Sequence, residues 1–444
     1  MFNYGPIKVE GDNLYDVKIG GVASYFGGPT TNAINYEGGT ITFDGTTRRY
    51  VHIGGAVEAV KDSTTDLYNY GDVTVNGKIG HTLYVGGCMC RAYNYSRTRN
   101  SNHGDVIVNA EITTNNFVGG MVYDSSANMR YTDCHNTGNL TLGEKAVVNV
   151  QTRWGGFVGK LEKDAAADAI LTNIFDGCSN SGDIIIKGNA SKTTYAAFGG
   201  IYGTATGNTK IIILNGFTNS GDIIFEGSQN GEFIDNTALA KRNFLDLGGL
   251  FGHVDSTIAF SNADNPSWTG DIVNKGTIKF TGTAKNAVRL GGFAGSKFGP
   301  TPTVTDGKII NLGDIVCTGT FNKSGDMAQY SGIGGILGYT NNTINNAAVF
   351  CNINAPETNA GMITGSQRSE SVIATNCEVG GSIVSWSDGD QTWSEEKITG
   401  NNFYKYIYSA EIDEAVAATD LCSFISVAPT LPTTPPAAEE TPAE

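Results

Sequence analysis

The sequence predicts an all-β fold, a parallel β-helix (β-solenoid) with about three short strands per coil, about nine or ten coils and a right-handed winding. Three observations carry that prediction. An Asn-x-Gly tripeptide recurs at Asn3, Asn69, Asn102, Asn136, Asn180, Asn219, Asn274 and Asn311, with a stretched copy at Asn35, and a small residue and a short β-branched run follow it. A Gly-Gly pair followed by apolar residues answers it each time, starting at Gly20, Gly54, Gly86, Gly119, Gly155, Gly199, Gly248, Gly291 and Gly334. The composition agrees, with 59 glycines against 11 prolines and only 16% charged residues, which suits many short strands and tight turns and disfavours long surface helices.

The interval between successive Gly-Gly pairs is 32 to 36 residues from Gly20 to Gly155 and 43 to 49 residues from there to Gly334. The coils therefore lengthen toward the C-terminus. Within each coil, one strand follows Asn-x-Gly, as at Val73–Val75, Val106–Val108, Ile184–Ile186 and Ile223–Phe225. Its first and third residues face inward by the two-residue period. A second strand ends in Gly-Gly, as at Leu83–Val85, and a third precedes the Asn, as at Ile211–Leu214.

The corners have a chemical reason. At Asn69 and Gly71, Asn102 and Gly104, Asn180 and Gly182, and Asn219 and Gly221, the Gly is expected to take positive φ without steric cost. The Asn is expected to bond turn backbone and stack on its neighbour one coil away, satisfying buried corner amides. The Gly-Gly pair is expected where the chain bends close to the adjacent coil.

Two stretches break the period, 162–175 and 232–247, and their composition predicts short helical insertions. The solenoid is assigned to 1–385. Residues 386–426 form a C-terminal cap, read as an aromatic strand and an amphipathic helix over 403–426, and 427–444 is a Pro/Glu-rich linker or tail.

The eight cysteines fall mainly at core register positions: Cys88 just after Gly86-Gly87, and Cys317 where other coils carry Val75 or Phe280. They read as buried thiols. Cys134 and Cys178 stand two residues before the repeat Asn in successive coils, close enough in register to bridge if the coils allow it.

A formal net charge of −15 argues against nucleic acid or an anionic membrane as partner. No apolar run is long enough to span a bilayer, and the chain enters directly inside a repeat, with any signal and anchor expected outside it.

Trp154-Gly155-Gly156-Phe157-Val158-Gly159, followed by Phe175 to Ile184, resembles the GLUG-type repeats of bacterial cell-surface proteins, and Gly334 to Gly338 fits the same mould. The likeness covers roughly residues 3 to 385 and is architectural. It implies a parallel β-helix in a secreted or cell-surface protein of the Bacteroidetes type, often an adhesin, and supplies no catalytic residue.

No catalytic residue and no cofactor is expected. Asp72, Asp105, Asp183, Asp222 and Asp314 form the one series of oxygen donors that would suit Ca²⁺. Turn chemistry accounts for them better, because Pro6, Asn139 and Thr277 take the same place elsewhere. The five histidines show no metal-ligand spacing.

Binding candidates are residues that break the repeat. Arg91, Tyr93, Tyr95, Arg97 and Arg99, with Arg48, Arg49 and Tyr50 a coil earlier, are read as a surface cluster able to stack on sugars and pair with carboxylate or sulfate. Trp393, Tyr404 and Tyr406 make a second aromatic platform near the C-terminus. The expected function is a non-enzymatic structural or adhesive role, with a glycan or a surface protein as partner. The competing readings are a polysaccharide lyase or glycoside hydrolase on the same scaffold and a self-associating surface-layer or fibre subunit.

Overall fold

The computed structural model describes residues 1–392 and 422–424, apart from 94, 126–127, 163–170, 231–243, 256, 262, 299–301, 323–329, 341–343, 356–359, 368–373 and 386–390. The chain winds through three parallel sheets. Two are ten-stranded. Strands that end in Gly-Gly, from Val17–Gly20 through Val51–Gly54 and onward, form a pre-turn sheet, and strands just past the glycines, from Ala23–Phe26 through Val57–Val60 and onward, form a post-turn sheet. The strands before and after each Asn belong to one large sheet of 30 strands. Ten strands in each narrow sheet give ten coils.

Register is kept through the strands that follow each Asn-x-Gly, so each inward position there becomes a column of like side chains. Phe43, Val75, Val108, Leu142, Ile186, Phe225, Phe280 and Cys317 pair in succession along the large sheet. All are fully buried, and Cys317 stands at the core position its register predicts. The strand after Asn-x-Gly alternates as expected, with Val106 and Val108 buried around a half-buried Ile107. A slip of one residue would turn the whole column outward.

The corner asparagines form a continuous ladder. From Asn3 through Asn35, Asn69, Asn102, Asn136, Asn180, Asn219 and Asn274 to Asn311, each Nδ2 donates to the Oδ1 of the next coil at 2.7–2.9 Å. The second hydrogen of the same amide goes to a turn carbonyl, as from Asn69 to Gly71 O at 2.9 Å. At the far end Val349 pairs with Asn311 in register, and Asn311 Nδ2 turns to Cys351 Sγ at 3.4 Å.

Two glycines are needed per turn because two different surfaces press on it. A Cβ on Gly55 would lie 1.8 Å from Gly87 O and 2.4 Å from Asn69 Nδ2, so the second glycine makes room for the ladder. A Cβ on Gly54 would lie 1.7 Å from Val57 O and 2.7 Å from Cys90 N, so the first makes room for the post-turn strand. Both contacts are with backbone or a pinned amide and cannot be relieved by a rotamer change.

Several expectations are corrected. The glycine of Asn-x-Gly does not adopt positive φ at Gly71, Gly104, Gly182 or Gly221. Its role is clearance, since a Cβ on Gly71 would meet Gly39 O at 2.4 Å and Asn35 Nδ2 at 2.6 Å. The left-handed corner lies elsewhere, at Asn32, Asp66, Arg99 and Asp133, just past the paired residues Thr31, Thr65, Thr98 and Thr132. Asn and Asp suit that conformation, whereas Arg99 at φ 50° is strained. The insertions read as helical show no helix among their described residues: they are strand at Val158–Glu162, Leu171–Asn180 and Leu245–Gly248, with Phe244 outside any element, and 163–170 and 231–243 lie outside the described residues.

In the expected cap, Gln391–Thr392 pairs antiparallel with Val384 and Ser385. Cys422–Phe424 is a strand parallel to Cys377–Val379, not part of a helix. The long run before it, 393–421, lies outside the described residues.

Candidate functional site on the outer face of the pre-turn sheet

Alternation in the pre-turn strands buries Val51 and Ile53 in the main core and turns His52 outward. In register with it stand Tyr84, Phe117 and Arg153 on the next three coils. Parallel coils place like positions one strand spacing apart, about 4.8 Å, which is a stacking distance for rings. His52 accordingly stacks on Tyr84 with ring centroids 4.6 Å apart, and Tyr84 lies 5.8 Å from Phe117. Arg153 then covers Phe117 at 5.4 Å and Tyr195 at 5.3 Å.

The corner leading into this sheet extends the strip. Tyr50 meets His81 edge-on at 4.8 Å, and the Arg49 guanidinium lies over the rings of Tyr15 at 5.1 Å and Tyr50 at 4.7 Å. Arg49 also donates to Tyr15 Oη at 3.1 Å. The result is a run of rings interleaved with guanidinium groups across the first six coils.

The predicted binding residues do not form one patch. Arg48, Arg49 and Tyr50 sit at this corner, while the exposed Tyr93 and Tyr95 sit where the chain leaves the post-turn sheet. Arg91 is half-buried and ion-paired to Glu58 at 2.7 Å. Arg99 makes two bonds to the Asp66 carboxylate, at 2.8 and 2.9 Å. Arg97 is wholly buried, which removes it from any surface site. It occupies a core column, paired in register with Tyr131, and its guanidinium donates to the carbonyls of Asp62, Tyr93 and Ser96. Trp393, Tyr404 and Tyr406 lie outside the described residues.

The Asp series behaves as turn chemistry. Asp72 Oδ1 accepts the backbone N–H of Asp105, Asp105 that of Asn139, Asp183 that of Asp222 and Asp222 that of Thr277, all at 2.7–2.9 Å. Asn139 fills the same role toward Asp183, so the position needs an acceptor oxygen rather than a charge. Cys134 and Cys178 are free buried thiols that donate to the carbonyls of Arg97 and Tyr131.

Two polar clusters between the narrow sheets emerge only from the stacking. In the first, His52 Nδ1 lies 3.9 Å from Glu58 Oε1 and 4.0 Å from Cys90 Sγ. Burial, helped by Arg91, pushes the His52 imidazole down to about 4, so it is neutral. Burial also lifts the Glu58 carboxyl against the pull of Arg91, and lifts the Cys90 thiol. In the second, His253 Nδ1 lies 2.7 Å from Ser296 Oγ and 3.1 Å from Asp246 Oδ2, with Ser296 donating to the same carboxylate at 2.8 Å. Arg289 adds an ion pair to Asp246 at 3.6 Å and lies over the Phe244 and Tyr339 rings.

Neither cluster is a nucleophile relay. Such a relay needs the acid and the nucleophile on opposite imidazole nitrogens, and here one Nδ1 faces both. Register holds the signal that a motif search misses: Glu58 and Cys90 both stand three residues past the turn and pair across coils, as do His253 and Ser296 at four residues past it.

Comparison with protein-family models, curated proteins and solved structures finds no match to this chain. Among the described residues, no helix is long and apolar enough to cross a membrane.

Proposed function

We propose that this chain is a non-enzymatic structural and adhesive protein of the bacterial cell surface, and that the ring-and-guanidinium strip of its early coils binds an acidic glycan. The observation that carries the reading is Arg49 held over Tyr15 and Tyr50. Tyrosine faces stack on the C–H faces of sugars, and a guanidinium pairs with carboxylate or sulfate. Exposed rings support the same end of the rod, with Tyr4 at 65% and Tyr15 at 60% exposure. The resemblance to GLUG-type repeats supports the location.

A glycan array probed with the isolated chain tests the proposal. Retention of carboxylated or sulfated glycans is expected for the wild type and is lost in the Tyr15→Ala, Arg49→Ala double variant at unchanged melting temperature. No acidic glycan retained, or equal retention by the variant, would overturn it.

A further inference from the structure

His52, Glu58 and Cys90 bring three potential metal donors together, with the Cys90 thiol resting on Tyr84 O at 3.5 Å and the Glu58 carboxylate held by Arg91. Three donor atoms of different chemistry, one from each of three strands on two adjacent coils, lie within 4.8 Å of one another. They converge without bonding one another, since 3.9 and 4.0 Å exceed a normal N···O or tight S···N hydrogen bond. The Glu58 carboxylate is only 3% exposed and Cys90 is fully buried. Arg91 fixes the carboxylate through the oxygen that faces His52, with Nε at 2.9 Å and Nη2 at 2.7 Å both on Oε1. Tyr84, Phe117 and Tyr123 pack around the thiol as a small apolar cluster separate from the main core.

We propose that His52, Glu58 and Cys90 bind a divalent transition-metal ion of the zinc class. Tetrahedral Zn²⁺ with bonds of about 2.0–2.1 Å to nitrogen, 2.0–2.2 Å to oxygen and 2.3 Å to sulfur sets donor–donor edges of roughly 3.3–3.6 Å. The two separations from His52 Nδ1, 3.9 Å to Glu58 and 4.0 Å to Cys90, need to close by about half an ångström to reach them, and Glu58 and Cys90 lie within 4.8 Å of each other. Sulfur and imidazole donors exclude Ca²⁺ and Mg²⁺, which take oxygen. Arg91 then serves as the outer partner that orients a ligating carboxylate. Three protein ligands leave a fourth position for water or an exogenous donor.

Cobalt(II) titration of the full, metal-stripped chain tests the site. The expected result is one ion per chain with a thiolate-to-cobalt charge-transfer band, displaced by Zn²⁺. Cys90→Ser abolishes the band, His52→Gln and Glu58→Gln weaken binding at least tenfold, and Cys88→Ser, which changes a thiol in the main core, leaves the band in place. Circular dichroism establishes that each variant is folded. If Cys90→Ser does not fold, X-ray absorption on the zinc-loaded wild type decides instead, with one sulfur in a mixed shell expected. Absence of stoichiometric binding, a band that survives Cys90→Ser, or a metal shell without sulfur would overturn the assignment.

Discussion

The Asn69 side-chain amide donates to Asn102 Oδ1 at 2.8 Å across 33 residues of sequence, and Asn102 passes the same bond on to Asn136 at 2.8 Å. Each amide uses both hydrogens and its oxygen inside the coil, so the ladder joins neighbouring coils by side chains as well as by backbone.

Asn102→Ala should therefore be far costlier than its size suggests. It strands the Asn69 amide, the Asn136 oxygen and the Gly104 carbonyl, all buried. At about 1–3 kcal/mol for each unsatisfied group, a loss of about 3 kcal/mol or more is expected by denaturant unfolding. Asn3→Ala, at the partly exposed end of the ladder, should cost about 1 kcal/mol.

Gly55→Ala should destabilise the fold or prevent it, because the new methyl would sit 1.8 Å from Gly87 O. Gly5→Ala is the control, with nothing within 4 Å of its Cβ. Comparing soluble yield and melting temperature separates a glycine required by packing from one that is not.

Arg97→Ala and Arg49→Ala should divide stability from binding. Truncating the buried Arg97 leaves three carbonyls without their donor and should lower the melting temperature by several degrees. Arg49, whose side chain is 43% exposed, should lose glycan retention with little change in melting. The reverse pattern would contradict both placements.

Lys297 gives a pH dependence with a definite sign. Its amine is buried, donates to Phe298 O at 2.6 Å and lies 4.8 Å from the Phe260 ring, and burial lowers its pKa from 10.5 to about 7 despite Asp255. The folded state therefore favours the neutral amine. The stability this contributes is full above the unfolded pKa and is lost as pH falls through about 7. In the difference between wild type and Lys297→Met, where ionisation of the unfolded cysteines cancels, the wild type should gain at most about 1.4 kcal/mol per pH unit above pH 7. Lys297→Met should be the more stable protein at pH 7, and its advantage should shrink as pH rises.

Much of the architecture was legible because a solenoid writes its period into the chain. The Asn series, the Gly-Gly series and the column through Cys317 could each be placed by counting. Arg97 could not, because its burial depends on the corner carbonyls of Asp62 and Tyr93, which local sequence does not reveal. The role of Gly71 escapes local sequence for a related reason: the constraint comes from Gly39 one coil away and not from its own φ. The His52, Glu58 and Cys90 convergence links residues up to 38 positions apart and appears only when the coils are aligned by their turns.

The most direct test of the functional account compares the two corners of the early coils by calorimetry against the acidic glycan that the array selects. Alanine at Arg49 and Tyr50 should abolish binding, and alanine at Tyr93 and Tyr95, on the other corner, should leave the affinity within about twofold, a difference of about 0.4 kcal/mol. Loss of affinity from the Tyr93 and Tyr95 pair alone, with the Arg49 and Tyr50 variant binding normally, would contradict the assignment of the binding face.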